Sequence, residues 1–117
     1  ASRIAIMPMG FCYPGTYARG GDLPPRPECA PTWHDALLTH LPNLELILLI
    51  GAYSQARYLA GRAEKTLTAT VARWREFLPR YLPTPHPSWR TLNWAKKNPW
   101  FEAELVPELR RRVAGLL

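Results

Sequence analysis

Three groups of residues in this sequence have the types and spacing to do chemistry. The first is the segment TPHPSWR, residues 84–90. His86 stands between Pro85 and Pro87, whose rings fix the backbone and leave the imidazole little freedom. A neutral imidazole held this way can donate a hydrogen bond to an anion that forms as a bond breaks. Ser88 and its backbone amide are suited to holding a phosphate, and Trp89 to stacking on bases or wedging between them. The same segment also reads as a proline-stiffened turn that carries a surface histidine.

The second group is Cys12 and Cys29, with sixteen residues between them. Two thiolates are half of what a four-ligand site needs. His34 and His40 lie close by in sequence, so a zinc site with mixed ligands is one reading. A buried small side chain plus an incidental loop thiol is another. The third group is Trp94, Lys96, Lys97, Trp100 and Phe101. Basic residues interleaved with aromatics suit nucleic acid. Lys96 and Lys97, with Arg90 upstream, are the expected phosphate contacts, whereas Trp100 and Phe101 are expected to pack the last helix onto a sheet.

These groups sit in a chain of 117 residues with 47% hydrophobic content, enough for a single domain spanning residues 1–117. The formal net charge is +6 and the pI about 9.8, which fits a polyanionic partner as well as an ordinary basic surface. Two cysteines do not make a secreted disulfide scaffold. The most apolar run, residues 44–50, is too short to span a bilayer, and no signal peptide is apparent. The expectation is a soluble, cytoplasmic monomer.

The elements that must position these groups follow from periodicity. Residues 3–9 (RIAIMPM) read as a buried strand ending at Gly10. Residues 15–27 read as a loop, because Pro24, Pro25 and Pro27 exclude a helix. A helix is expected over 32–40, capped by Thr32 with Asp35 as its reciprocal partner, and with Leu37, Leu38 and Leu41 as its apolar stripe. Residues 45–50 (ELILLI) read as a strand covered on both faces. Ser54 is the expected cap of a short helix ending near Gly61. Leu67, Val71, Trp74 and Leu78 recur at helical spacing, and residues 81–84 read as a third strand. A last helix starts at Asn98 and Pro99, with Phe101, Leu105, Leu109 and Val113 buried and Pro107 bending it. Alternating strands and helices predict an α/β fold with a parallel sheet and ligands beyond the carboxyl ends of its strands.

Taken together the motifs are similar to one known family. His86-Pro87-Ser88 resembles the second signature motif of the uracil-DNA glycosylase superfamily. FCYPG followed by PPRPEC resembles the segment of its iron–sulfur, family 4-like enzymes that carries two of four cluster cysteines. LELILLIGAYSQARYL resembles their next strand and helix, and NPWFEAELVPELRRRV their closing helix. The resemblance implies a three-layer α/β/α fold with a short parallel sheet. It implies excision of a damaged base such as uracil from DNA by hydrolysis of the N-glycosidic bond, after the nucleotide is flipped into a pocket. His86 would stabilise the departing base, Trp89 or Arg90 would enter the gap in the duplex, and Cys12 and Cys29 would be two ligands of a 4Fe–4S cluster. The first Gly-rich motif and a C-x-x-C pair do not occur in the chain, so it is expected to be the C-terminal part of such a protein, incomplete at its N-terminus and inactive alone. Pro8 stands where relatives place the Asn that reads the uracil edge. The alternatives are a non-catalytic DNA-binding or scaffold module with a degenerate pocket, and a small zinc module built on Cys12, Cys29 and a histidine.

Overall fold

The structure is a computed structural model and describes residues 3–117. The chain falls into two compact units, residues 1–44 and 45–117.

In the first unit, residues 3–9 form no strand, against the sequence expectation; Ile4 and Ile6 are exposed. Pro8 gives the reason: it has no N–H to donate to a ladder, and an apolar run with a proline is at best an edge strand. Residues 15–23 form a tight reversal. Thr16 bridges Asp22, and the Leu23 N–H donates to the Gly15 carbonyl at 2.9 Å. Gly20 and Gly21 turn the tip with φ near +90°, a conformation other residues resist. Helix α1 is Cys29–Leu38. It starts three residues before the expected position, so Thr32 is not its cap. The Thr32 hydroxyl instead donates back to the Glu28 carbonyl at 2.6 Å, a bond made inside the first turn. The buried residues are Cys29, Ala30 and His34, while Leu37 of the expected stripe is exposed.

The second unit is a β-α-β arrangement closed by two further helices. Strand β1, Ile47–Ile50, pairs in parallel with β2, Tyr81–Thr84, in the register Leu48↔Leu82 and Ile50↔Thr84. Between them lie α2 (Ala52–Tyr58), α3 (Leu67–Ala72) and a 3-10 turn, Trp74–Phe77. Thr66 caps α3, its hydroxyl accepting from the Ala69 N–H. Gly51 rather than Ser54 precedes α2. Its φ of +88° makes the sharp exit from β1, and Ser54 hydrogen-bonds backward to the carbonyls of Ile50 and Gly51.

Neighbouring residues of a strand point to opposite faces, and this pair of strands has a core cluster on each. Leu82 packs with Val71, Trp74 and Leu105 on one face, joined by Leu46, Trp94 and Phe101. Leu49 packs with Leu59 and Phe77 on the other, joined by Ile47, Tyr58 and Tyr81. The layering is therefore helix, sheet, helix, and the fold is mixed α/β with a short parallel sheet. The coverage of β1 differs from expectation: Leu48 and Ile50 stay 37% and 46% exposed. Two strands make too narrow a sheet for helices to cover every residue of it.

Backbone direction in this ladder matters for Pro83. The Ile47 N–H donates to Arg80 O and the Gly51 N–H to Thr84 O. The even-numbered residues of β2 thus turn their backbone polar groups to β1, and Tyr81 and Pro83 turn theirs to the opposite edge. Pro83 consequently removes no bond from the pair.

Helix α4, Trp89–Lys97, lies between the His86 loop and the closing helix, where periodicity predicts no element. The last helix is split. Phe101–Leu105 forms a π turn, with the Val106 N–H donating to the Phe101 carbonyl, and α5 follows as Val106–Leu116. Pro107 lies in the first turn of α5 and has no N–H for an α-type bond to Ala103, so the register is met by widening the preceding turn.

Candidate nucleic-acid interface

Strand β2 ends at Thr84, Pro85 is buried, and the chain emerges at His86. His86 is exposed in a loop beyond the carboxyl end of the strand, the place where parallel sheets form their sites. Its backbone is fixed from the far side. The hydroxyl of Thr91 donates to the His86 carbonyl, and the Thr91 N–H donates to the Ser88 carbonyl at 3.0 Å. The His86 side chain itself has no hydrogen-bond partner among the described residues, so both ring nitrogens are available to an incoming group.

Ser88 is the residue before α4, in an extended conformation, and its side chain makes no capping bond. The amides of Trp89 and Arg90 are thus left without a capping side chain close to His86, an arrangement that attracts anions. Helix α4 has nine residues and is about 13 Å long. At 100° per residue, Trp89, Leu92, Asn93 and Lys96 share one face, flanked by Arg90 and Lys97. All six are exposed, Trp89 at 72% and Leu92 at 66%. The Arg90 guanidinium lies 5.4 Å from the centre of the Trp89 ring, which steadies both. The helix carries three cationic side chains, Arg90, Lys96 and Lys97, and no acidic one.

The opposite face anchors the helix. The Trp94 indole N–H donates to the Thr68 hydroxyl at 2.8 Å, and its ring meets Trp100 and Phe101 edge-on at 5.7 and 5.2 Å. Of the aromatic and basic group singled out in the sequence, Trp94, Trp100 and Phe101 are thus packing residues, and Lys96 and Lys97 are surface cations. His86, Ser88, Trp89 and Arg90 are brought together at the start of α4. Lys96 and Lys97 stand at its other end, about 10 Å further along the axis.

Sequence reasoning missed Gln55. It is 2% exposed, and its side-chain amide donates to Leu49 O at 3.0 Å and to Thr84 O at 2.9 Å, tying together the carboxyl ends of both strands. The signal was faint but present: Gln55 lies one turn before buried Leu59, so an uncharged polar residue occupies the apolar face of a short helix.

The cysteines belong to the first unit. Cys12 is exposed in the loop, and Cys29 is buried at the start of α1. Among the described residues no three His, Cys, Asp or Glu side chains gather into a metal-holding group. His34 is buried, with its Nε2–H donating to the Pro8 carbonyl at 2.8 Å and its ring edge-on to Phe11. No helix among the described residues is long and apolar enough to cross a membrane.

A family model described as the Uracil DNA glycosylase superfamily matches residues 2–110. The match runs through the His86 loop and α4 and into the closing helix. This chain belongs to the uracil DNA glycosylase superfamily.

Proposed function

We propose that the chain is the C-terminal part of a DNA base-excision enzyme of the iron–sulfur, family 4-like branch, which hydrolyses the N-glycosidic bond of a damaged base such as uracil. The observation that carries this reading is the position of His86: exposed, backbone-anchored, without a side-chain partner, and directly ahead of a helix whose outer face is aromatic at one end and cationic at the other.

The chemistry follows from that position. The bond between base and sugar breaks with its electron pair leaving on the base. An imidazole N–H of His86 donates to the resulting anion, a preorganised donor where charge develops. Water adds to the electron-poor sugar carbon, and the proton it loses is taken up by the departed base anion through solvent, giving the free neutral base. Trp89, with Arg90 against its ring, fills the space left in the duplex by the flipped nucleotide. Ser88 and the first amides of α4 hold a phosphate, and Lys96 and Lys97 contact the backbone further along.

Cys12 and Cys29 are proposed as two thiolate ligands of a 4Fe–4S cluster. The described residues supply no further ligand beside them, so they fit only half of such a site, and no step of the reaction passes through it. Iron and acid-labile sulfide in the complete gene product, lost in a Cys12→Ala/Cys29→Ala variant, is the expected result.

The deciding experiment is base release from a uracil-containing duplex by the complete gene product and its His86→Ala variant. The variant is expected to lose roughly two to three orders of magnitude in rate while still binding duplex. Full turnover without His86 would overturn the mechanism. Pro8 favours a second reading, a DNA-binding or scaffold module, because its side chain offers uracil neither donor nor acceptor. Duplex binding with no release of any base would select that reading.

A further inference from the structure

We propose that Gln55 is a positioning residue for His86, acting through the carbonyl of Thr84; the inference rests on the reading of His86 given above. Thr84 is the last residue of β2, and its carbonyl is the last fixed point before Pro85, His86 and Pro87. Two donors converge on it. The Gly51 N–H reaches it at 3.0 Å from the end of β1, and Gln55 Nε2 at 2.9 Å from α2. The same Nε2 spans to Leu49 O at 3.0 Å. One buried amide therefore locks the carboxyl ends of the two strands together, two residues before the histidine. With prolines on both sides of His86, little torsional freedom is left to absorb a shift at Thr84. A displacement there is passed on to the imidazole.

The orientation of the amide is fixed by chemistry. Turned over, it would set its oxygen against the two carbonyl oxygens that it now serves as donor. Oε1 in the observed orientation is buried and makes no hydrogen bond to protein. Gln55 also lines a cavity of about 150 Å³ with Ala52, Ala56, Glu64, Thr66 and Thr70. The residue thus acts by donation alone. This sets an order among substitutions that simple volume-filling would not. Gln55→Met keeps the bulk and removes both donated bonds. Gln55→Glu is nearly isosteric, yet it presses a carboxylate oxygen onto two carbonyls and is the more damaging.

The test uses the complete gene product and a two-by-two set: wild type, Gln55→Met, His86→Ala and the double variant. Single-turnover base release, duplex affinity, thermal melting and amide exchange at Ser88 and Thr91 are measured on each. Gln55→Met is expected to lower the rate about tenfold, the scale of losing one or two buried hydrogen bonds, with duplex affinity within twofold. In the His86→Ala background the same substitution should change the rate little, since a residue acting through His86 has nothing left to position. An equal loss in both backgrounds would make Gln55 merely structural and overturn the proposal, as would a wild-type rate in Gln55→Met. Should Gln55→Met fail to fold, Gln55→Asn replaces it, keeping the polarity while being too short to reach both carbonyls. If wild type releases no base from any substrate, the glycosylase reading falls separately, and the positioning claim is then judged on exchange: faster exchange at Ser88 and Thr91 supports it, and unchanged exchange overturns it.

Discussion

Thr91 reaches back from the first turn of α4 and donates its hydroxyl to the carbonyl of His86, five residues earlier. The loop that carries the histidine is thereby closed at its downstream end by the helix that carries the proposed DNA contacts. Thr91→Val keeps the shape and removes the donor. One neutral hydrogen bond contributes about 0.5–1.5 kcal/mol net, so base release should fall between about twofold and tenfold with duplex affinity unchanged. Single-turnover kinetics beside a binding titration checks both halves. A drop in affinity with an unchanged rate would assign Thr91 to binding instead.

Lys96 and Lys97 are exposed at the end of α4 with no acidic residue in that helix. Reversing both charges should weaken duplex binding at low salt and flatten its salt dependence. Each phosphate contact contributes about 0.9 to the slope of log affinity against log salt, so the slope should fall by about two. Affinity equal to wild type at every salt concentration would remove this end of α4 from the interface.

Glu108, in the first turn of α5, accepts from Arg111 at 2.5 Å and from Arg112 at 2.7 Å. Hydrogen bonds from Arg111 first, and then from Arg112, hold its carboxyl at about 2 instead of the ordinary 4.5. A carboxyl depressed by folding stabilises the folded state above its ordinary value. That contribution fades as the pH falls from about 4.5 toward about 2. Glu108→Gln should therefore melt below wild type at neutral pH, and the gap should close at the acid end of that window. Thermal melts across pH measure it. Because the group sits at the surface, added salt should narrow the gap as well.

The core makes a contrasting prediction within one register pair. Leu82 is fully buried between Val71, Trp74 and Leu105, while its partner Leu48 is 37% exposed. Leu82→Ala should lose about 2–5 kcal/mol, and Leu48→Ala about 1 kcal/mol or less. Urea unfolding of both variants with an unchanged denaturant slope tests the pair.

Local signals made part of this fold legible. Residues 81–84 read as a strand because a short apolar run stops at Pro85, and Ile47–Ile50 because a continuous apolar run stops at Gly51. Helix α4 was hidden for a physical reason. Its outward face carries Trp89 and Leu92 while polar Thr91 is half-buried, so the usual separation of apolar from polar is blurred where the chain would meet DNA. The loop position of His86 was readable from its prolines. Gln55 left only the faint trace of its spacing to Leu59, because a glutamine near Arg57 on a short helix looks like a solvated residue until the two carbonyls it serves are seen. Residues 3–9 misled in the opposite way: apolar composition suggested burial, and Pro8 outweighed it. The Trp94, Trp100 and Phe101 cluster shows how little aromatic content alone decides, since the same residue type stacks inward there and outward at Trp89.

Pro83 has a consequence for how this sheet meets other strands. Its ring stands in the middle of β2 with its missing donor turned away from β1, so the outer edge of β2 has a single backbone donor, the Tyr81 N–H. A passing extended segment, from a nascent or partly unfolded chain, finds no regular ladder to copy there. On that side the strand has one backbone donor where a proline-free strand would have two, so Pro83 weakens the edge as a template without weakening the β1–β2 pair.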